Sequence, residues 1–489
     1  MLKLTSASVA RSAMELLAVP VCQDADLHKD DALQSLSAKA RAYPEFSGEK
    51  DQQILLYDLP DTKIRRAVFF GLGKLENLDR ESLRALGGKA VKAAQAAKCA
   101  SVAIAVPGMA NKHLELPEMA KAIGEGAFLA NRSFEKYKSE SKYTALAKIS
   151  LMVPPREAKT LRDLVAEVEI VCGGTLLARE WVNTPSNDKP PLVFAKEVAA
   201  QAKKVGLKVQ IHDEARLKRD KFGALLAVAA GSSNPPCLVE LVHAPRGAKK
   251  TIVLVGKGVT FDSGGISLKP SANMDLMKSD MAGAAAVAGT LLAAARLRPE
   301  ARIIGILPLV ENMPSGSATR PGDIVTSYSG KTVEIGNTDA EGRLILIDAM
   351  AYAAKKYKPD AMIDLATLTG ACIVALGDRI AGVFSADEAL ARAVVDAGQA
   401  TYERCWHLPL PRDYKELMKS KIADINNMSS TRSGGSITAA LFMEEFVDDT
   451  RWAHLDIAGP SFDKKGGDYC GPGGTGFGVR LLWDLINRL

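Results

Sequence analysis

The sequence predicts an α/β fold divided into two domains, of which the second is the larger. The chain has 489 residues, and at roughly 150 residues per domain this length accommodates two or three domains. Strand-like and helix-like segments alternate along the chain, as they do in α/β proteins. Hydrophobic residues make up 47% and charged residues 25% of the sequence, which is typical of a globular protein and too apolar for a disordered one.

The first α/β domain is predicted over residues 1–155. Apolar runs and helical periodicity predict strands at 66–71, 101–106 and 147–153 and helices at 80–98 and 118–131. No cluster of catalytic residue types is evident in this domain.

A connecting helix is predicted over residues 156–184. Apolar side chains recur at helical spacing from Leu161 to Cys172, and the pattern extends towards Trp181. The sequence after it, Asn183-Thr184-Pro185-Ser186, has the composition of a loop.

The second domain is predicted over residues 185–489, where α/β alternation resumes. Buried strands are expected at 207–211, 238–243, 251–255, 302–309 and 361–365, and helices at 281–297 and 341–356. The small-apolar run 283–297 is shorter than the roughly 20 residues that cross a bilayer, so it predicts a buried helix. With no export signal apparent, no membrane association is expected.

Charge and cysteine content suggest a location but no partner. The 63 basic and 57 acidic residues leave a net charge of +6, a mild excess that is no signature of polyanion binding. The seven cysteines are odd in number and scattered, and none forms a CxxC pair. We therefore expect reduced thiols and a cytoplasmic protein.

Two loops concentrate the chemistry, one within 256–286 and the other within 336–344, each after a predicted strand and before a predicted helix. Ligands of open α/β sheets bind beyond the carboxyl ends of strands, so we expect the two loops to converge. Crowded carboxylates raise one another's pKa values, and two divalent cations would compensate their charge. The acidic residues are Asp262, Asp275, Asp280, Asp339 and Glu341, and the basic ones are Lys257, Lys269, Lys278 and Arg343.

Each of these residues also has a structural interpretation. Asp280 and Asp339 precede predicted helices and are plausible N-caps, and Glu341 suits a first helical turn. No histidine lies in either loop and no HExxH pair exists, so any metal would be held mainly by oxygen. Cys372, the cysteine nearest to the loops, has no adjacent histidine and is expected to be buried packing.

Several motifs together resemble the leucyl aminopeptidase (cytosol aminopeptidase) family of two-metal exopeptidases. They are the sequence NTDAEGR at 337–343, the whole loop 256–286, DLATLTG at 364–370, and the segments 432–442 and 452–459. The resemblance implies a hydrolase with a macro-like N-terminal α/β domain and a catalytic C-terminal domain whose central mixed sheet is flanked by helices.

The resemblance also implies roles for individual residues. One divalent ion, Mn²⁺ or Zn²⁺, would be bound by Lys257, Asp262, Asp280 and Glu341, and the other by Asp262, Asp339 and Glu341. Lys257 would bind as a neutral amine, which suits borderline ions better than magnesium. Lys269 would polarise the scissile carbonyl group, and Arg343 would hold bicarbonate unless it pairs with a ligand carboxylate.

Substrate contacts are implied in the same way. Thr367, Leu368 and Gly370 would align the peptide, and Met277 would line the pocket for the first side chain, with core packing as its alternative. A hydroxide between the metals would release the N-terminal residue. Leucine-like residues would be preferred but broadly, because an apolar pocket discriminates by only about 1–3 kcal/mol per methylene.

The resemblance further implies a homohexamer, and two alternative functions stay open. A two-metal hydrolase of another substrate, such as a phosphoester, would use similar carboxylates. Some relatives also act as DNA-binding regulators, although this sequence shows no recognisable helix-turn-helix.

Overall fold

The chain forms two compact units in the computed structural model, which describes residues 2–6, 9, 13–57, 59, 62–108 and 114–489. The first unit comprises Met1–Cys172 with Lys465–Pro472, and the second comprises Gly173–Lys464 with Gly473–Leu489. The two-domain α/β architecture predicted from the sequence is confirmed. The limits 1–155, 156–184 and 185–489 stay predictions.

A six-stranded mixed sheet forms the centre of the first unit, in the order β1-β6-β5-β2-β4-β3. All neighbouring strands are parallel except β3 and β4. The strands are β1 Leu2–Thr5, β2 Leu17–Val21, β3 Gln53–Tyr57, β4 Arg66–Gly71, β5 Ser101–Ala105 and β6 Lys148–Met152, and the helices are α1 Asp31–Arg41, α2 Arg80–Ala96 and α3 Leu116–Ala130.

A long helix follows where the connecting helix is predicted. It is α4, Arg162–Asn183, and it includes the paired glycines Gly173 and Gly174 without interruption. A single 3-10 turn, Ser186–Asp188, then leads to the next helix.

A nine-stranded mixed sheet forms the centre of the second unit, in the order β16-β15-β18-β14-β9-β11-β8-β7, with β10 paired to β11. The strands of this unit are β7 Lys208–His212, β8 Cys237–His243, β9 Thr251–Gly256, β10 Gly258–Asp262, β11 Arg302–Asn312, β12 Ile324–Thr326, β13 Thr332–Glu334, β14 Ala361–Ala366, β15 Ala381–Phe384, β16 Cys405–His407, β17 Ile425–Asn426, β18 Trp452–Asp456, β19 Phe462–Asp463 and β20 Gly473–Gly474. The helices are α5 Pro191–Lys204, α6 Glu214–Arg219, α7 Gly223–Ala229, α8 Ala282–Leu297, α9 Glu341–Tyr357, α10 Gly370–Leu376, α11 Glu388–Thr401, α12 Gly435–Glu444 and α13 Val479–Arg488, with 3-10 helices at Met274–Ser279 and Arg412–Met418.

The apolar run predicted as a buried helix is α8. Every residue of α8 from Ala282 to Ala294 is buried. Within the described part of the chain, one helical stretch, Met274–Leu297, has the length and composition to cross a membrane, and 83% of its apolar window is buried in the protein. Such burial is typical of a core helix in a globular fold.

The parallel strands at the centre of this sheet bring the first chemical loop and the segment after β14 to one edge. Strands β9, β10, β11 and β14 run parallel, so their carboxyl ends lie on the same side. Lys257 directly follows β9, Asp262 ends β10, and Thr367 directly follows β14. The sheet therefore gathers residues that are far apart in sequence at one place.

Candidate active site

Lys257 lies at the centre of the site and is 2% exposed. Its Nζ lies 2.7 Å from Oδ1 of Asp280 and 2.9 Å from Oε1 of Glu341, and it donates a hydrogen bond of 2.8 Å to the carbonyl oxygen of Thr367. Gly342 leaves room for this lysine, since a Cβ there would lie 2.6 Å from the lysine Cε. The local sequence thus permits a buried lysine to pass the first turn of α9.

Three carboxylates converge around this lysine. Asp262, Asp280 and Glu341 are buried, and each offers one oxygen within 4.8 Å of the others. Oδ1 of Asp262 accepts hydrogen bonds of 2.9 Å from the backbone N–H of Gly264 and from Nδ2 of Asn312. The prediction that the two loops converge is therefore confirmed.

Asp339 is linked to the cluster by a second lysine, Lys269. Nζ of Lys269 lies 2.8 Å from Oδ2 of Asp262 and 2.5 Å from Oδ1 of Asp339. Lys269 therefore bridges the two loops and is 22% exposed at its side chain. Lys257 and Asp262 lie at the carboxyl-terminal edge of the nine-stranded sheet, and Asp280 lies just before α8. Asp339, Glu341 and Arg343 lie in the segment between β13 and the first turn of α9, and Arg343 makes different contacts.

The capping interpretation of the two aspartates is wrong. Helix α8 has Met281 as its N-cap and α9 has Ala340, and neither makes a side-chain capping hydrogen bond. Asp280 and Asp339 instead turn their carboxylates towards lysines. Glu341 occupies the first turn of α9 as predicted, but its carboxylate also lies in the cluster.

Electrostatics make this cluster unfavourable in the absence of added positive charge. Burial raises the pKa of Asp280 to about 8 and also raises the pKa values of Asp339 and Glu341. Burial alone would lower the pKa of Lys257, but the charges of Asp280, Glu341 and Asp262 raise it above its ordinary value. Ligation by a neutral Lys257 therefore requires a strong opposing charge, which a divalent cation has.

The donor set fits divalent cations. Four carboxylates face two ammonium groups, and Oδ2 of Asp280 is buried without a hydrogen-bond partner within the described ranges. A buried carboxylate oxygen of this kind is costly unless a cation or a donor meets it. Oxygen donors with one amine nitrogen suit Mn²⁺ or Zn²⁺.

Arg343 does not form the alternative ion pair with a ligand carboxylate. Its Nη1 donates a 2.8 Å hydrogen bond to the carbonyl oxygen of Asn427, and its Nε is buried and unpartnered in the described structure. Burial lowers the pKa of Arg343 to about 10, against the opposing influence of Glu341 and Asp456. A buried cation with a free donor can accept a small anion.

Of the residues predicted to contact substrate, Thr367 contacts the cluster directly. Oγ1 of Thr367 donates to Oδ1 of Asp280 over 2.7 Å. The N–H of Leu368 donates to Oδ1 of Asp456 over 3.2 Å, and Gly370 begins α10 and is exposed. Met277 is half-buried in the 3-10 helix that precedes Asp280.

Two charged residues of the loops do not join the cluster. Asp275 is exposed and Lys278 is half-buried on the same 3-10 helix. Cys372 is 1% exposed, with its Sγ 3.8 Å from the carbonyl oxygen of Asp456, so the prediction that it packs in the interior is confirmed.

Asn312 and Asn427 were not predicted, yet they hold the site together. Asn312 donates to Asp262 and, over 3.0 Å, to the carbonyl oxygen of Thr338. Asn427 is 0% exposed; its Oδ1 accepts the N–H of Gly336 over 2.7 Å, and its Nδ2 donates to the carbonyl oxygen of Asn337 over 2.8 Å. The polar end of β11 is a weak signal for Asn312, and no sequence signal marks Asn427.

Two family models match the chain. The model of the cytosol aminopeptidase family catalytic domain matches residues 176–483, and the model of the N-terminal domain of the same family matches residues 19–141.

Similar proteins span nearly the whole chain. A probable cytosol aminopeptidase of Geobacter sp. (strain M21) is 44% identical over 94% of this chain and 93% of its own length. Another probable cytosol aminopeptidase, from Chlorobium limicola, is 42% identical over 100% of this chain and 99% of its own length.

Solved structures share the fold. A mutant of tomato leucine aminopeptidase superposes with a TM-score of 0.89 at 36% identity, covering 100% of this chain and 96% of its own. The bottromycin maturation enzyme BotP in complex with Mn superposes with a TM-score of 0.87 at 34% identity, covering 97% of this chain and 99% of its own. With both domains matched and relatives aligned over more than nine-tenths of their lengths, the chain belongs to the cytosol aminopeptidase family.

Proposed function

We propose that the chain is a metal-dependent aminopeptidase that releases N-terminal residues from peptides, with leucine-like residues preferred. The observation that carries this proposal is the buried cluster of Asp262, Asp280 and Glu341 around Lys257. Family membership and the names of the relatives support a hydrolase of this class.

In this proposal the chain holds two divalent ions, Mn²⁺ or Zn²⁺. Lys257, Asp262, Asp280 and Glu341 would hold one, and Asp262, Asp339 and Glu341 the other. When bound, such ions would polarise a carbonyl group and lower the pKa of a water molecule. The carboxylates contribute the compensating charge, and Asn312 keeps the carboxylate of Asp262 oriented by its hydrogen bond.

Lys269 and Arg343 are the proposed catalytic cations. Lys269 is the more exposed of the two site lysines, so its ammonium can donate to the oxygen of a scissile carbonyl group. Arg343 is fixed by Asn427 through one nitrogen and keeps Nε available, which supports the binding of bicarbonate as a proton acceptor. No carboxylate oxygen lies within 4.0 Å of this arginine among the described residues.

Peptide binding would use the segment that follows β14 and the 3-10 helix before Asp280. Thr367 contacts Asp280 directly, which brings the peptide-aligning segment of Thr367, Leu368 and Gly370 to the cluster. Met277 would line the pocket for the first side chain. A free N-terminal amine, in its neutral form, would bind the ion that Lys257 and Asp280 help to hold, which would restrict cleavage to the first residue.

The experiment compares three chromogenic substrates after removal and replacement of the metal. The chelator-treated protein should regain hydrolysis of leucine p-nitroanilide with Mn²⁺ or Zn²⁺. N-acetyl-leucine p-nitroanilide, which carries the same leaving group with a blocked amine, should be cleaved at least 100-fold more slowly. Equal cleavage of both anilides, or faster cleavage of p-nitrophenyl phosphate, would contradict the proposal.

A homohexamer and a cytoplasmic location are further proposals that rest on the family resemblance. Native mass spectrometry measures the first, and cell fractionation measures the second. A monomer at micromolar concentration would contradict the hexamer.

A further inference from the structure

Lys189 is a buried cation outside the proposed ligand set. It is 1% exposed and follows the 3-10 turn Ser186–Asp188. Its Nζ donates to the carbonyl oxygens of Trp181 and Lys278 over 2.7 Å each, and further contacts are the carbonyl oxygen of Val182 at 3.2 Å and Sδ of Met281 at 3.4 Å. In the described ranges no carboxylate lies within 4.0 Å of this nitrogen.

Burial lowers the pKa of Lys189 well below its ordinary value, while three backbone carbonyl oxygens accept its N–H groups and favour the ammonium form. An ammonium group has three N–H donors, which the three carbonyl oxygens can accept. Trp181 and Val182 lie in the last turn of α4, where carbonyl groups lack intrahelical partners and the helix dipole favours a cation. Lys189 therefore completes the end of this helix.

The other contacts of Lys189 lie on both sides of a proposed metal ligand. Lys189 contacts the backbone of Lys278, two residues before Asp280, and the side chain of Met281, one residue after it. The hydrogen bond from Lys189 to Lys278 restrains the backbone next to Asp280. It therefore fixes the position from which the carboxylate of Asp280 contacts Lys257. Lys189 thus connects α4 to the ligand turn without touching the ligands themselves.

Ser186 makes a second tie from the same short segment. Its Oγ donates a 2.7 Å hydrogen bond to the carbonyl oxygen of Thr260, which lies in β10 two residues before Asp262. Ser186 and Lys189 therefore donate hydrogen bonds to the backbone beside two different proposed ligands, Asp262 and Asp280.

We propose that Lys189 is a positioning residue that holds Asp280 in place for one of the two metal ions, with Ser186 supporting Asp262. The proposal rests on the metal-binding part of the proposed function. Replacing Lys189 by Met approximately keeps the side-chain volume but leaves two buried carbonyl oxygens and the half-buried one of Lys278 without their donor, which is unfavourable. The backbone of 278–281 must then move, and Asp280 moves with it.

The test measures metal binding directly. Because Asp280 belongs to one proposed ion only, Lys189→Met should weaken the affinity for one Mn²⁺ at least tenfold and leave the other close to wild type. Isothermal titration of the metal-free protein, with metal analysis after dialysis, gives both values. Turnover of leucine p-nitroanilide should fall at limiting Mn²⁺ and recover at saturating Mn²⁺, with KM nearly unchanged.

A matched pair of serine variants is the control. Ser186→Ala and Ser385→Ala each remove one hydroxyl bond to a backbone carbonyl, of 2.7 Å and 2.6 Å, but Ser385 contacts Trp452 at the start of β18. Ser186→Ala should weaken Mn²⁺ binding at least threefold, and Ser385→Ala should not. This pair decides the part of the proposal that concerns Ser186 and Asp262. If Lys189→Met does not fold, Lys189→Gln, whose amide keeps two N–H donors, replaces it in the same metal titration with the same expected loss for one ion.

Three results would overturn the proposal: two Mn²⁺ ions bound by Lys189→Met with wild-type affinities, equal affinities in the two serine variants, or turnover that stays low at saturating Mn²⁺. A wild-type protein that binds two ions but hydrolyses no peptide substrate would refute the aminopeptidase proposal, while the affinities would still test the role of Lys189.

Discussion

Nζ of Lys257 lies 2.7 Å from Oδ1 of Asp280, and both residues are buried, with exposures of 2% and 6%. The pair is enclosed at the carboxyl-terminal edge of the sheet, where the charges of neighbouring carboxylates raise the pKa of the lysine despite its burial. The metal-free protein therefore holds a proton here that ligation of a metal by a neutral amine must displace.

The first prediction is a proton count. Mn²⁺ binding to the wild-type protein at pH 7.5 should release protons, and Lys257→Met should release about one fewer and bind at least tenfold more weakly. Titration calorimetry in buffers of different ionisation enthalpy measures the number. If Lys257 were only a counter-ion, its removal would strengthen metal binding, and that result would exclude it as a ligand.

The second prediction separates Lys269 from the ligands. Lys269→Ala should retain both ions but lose most turnover of leucine p-nitroanilide, because its ammonium is proposed to act on the substrate carbonyl group. Asp339→Ala and Glu341→Ala should each lose metal and activity together. Metal analysis and kinetics of the three purified variants test this; normal turnover in metal-replete Lys269→Ala would refute the assigned role.

The third prediction concerns Asn427, which holds the loop of Asp339 by its amide group. Asn427→Asp would place a carboxylate oxygen where Nδ2 now donates to the carbonyl oxygen of Asn337 over 2.8 Å. We expect the free energy of unfolding to fall by about 2 kcal/mol or more, together with weaker metal binding. Urea denaturation and metal titration measure these effects.

The neighbouring Asn426 supplies the control for that prediction. Its Oδ1 accepts the N–H of Met428 over 2.9 Å, a bond that Asn426→Asp retains. Equal losses of stability in the two variants would show that the new charge alone, and not the geometry at Asn427, is responsible.

The sequence predicted the core elements well, because their signals are local. The helix predicted at 281–297 is α8, Ala282–Leu297, and the strand predicted at 251–255 is β9, Thr251–Gly256. Long apolar runs and helical periodicity are enough for such elements. The composition of the two loops likewise indicated a charged site before any contact was known.

Features that depend on distant contacts were not predicted. Strand β10, Gly258–Asp262, is stabilised by parallel pairing with the end of β11, and the predicted limit of β11 at residue 309 stopped three residues short. Asn427 holds a loop 90 residues away in sequence. The capping interpretation of Asp280 failed for the same reason, since an aspartate before a helix has the same local sequence whether it caps or meets a lysine.

The fourth prediction is a pH dependence of stability that comes from His212. This side chain is 0% exposed, and neither ring nitrogen has a hydrogen-bond partner within the described ranges. Its ring packs edge-on against Tyr352, and its Nε2 lies 3.9 Å from Oε2 of Glu240, which accepts a hydrogen bond from Lys356. Burial, with the nearby charges of Arg216 and Lys356, lowers the pKa of His212 to about 4, although Glu240 opposes the shift.

A histidine whose pKa is lowered in the folded state favours folding only while it is neutral. Its contribution is complete above the unfolded-state pKa of about 6.5 and is lost as the pH falls towards 4. Between pH 7.5 and 4.5 the loss should be about 2 to 3 kcal/mol. His212→Phe keeps the aromatic contact with Tyr352 but cannot titrate. Between pH 7.5 and 4.5 the free energy of unfolding of this variant should therefore fall by about 2 to 3 kcal/mol less than that of the wild-type protein. Urea denaturation of both proteins at the two pH values gives the difference, in which the other titrating groups cancel, and parallel pH profiles would show that His212 is not the cause.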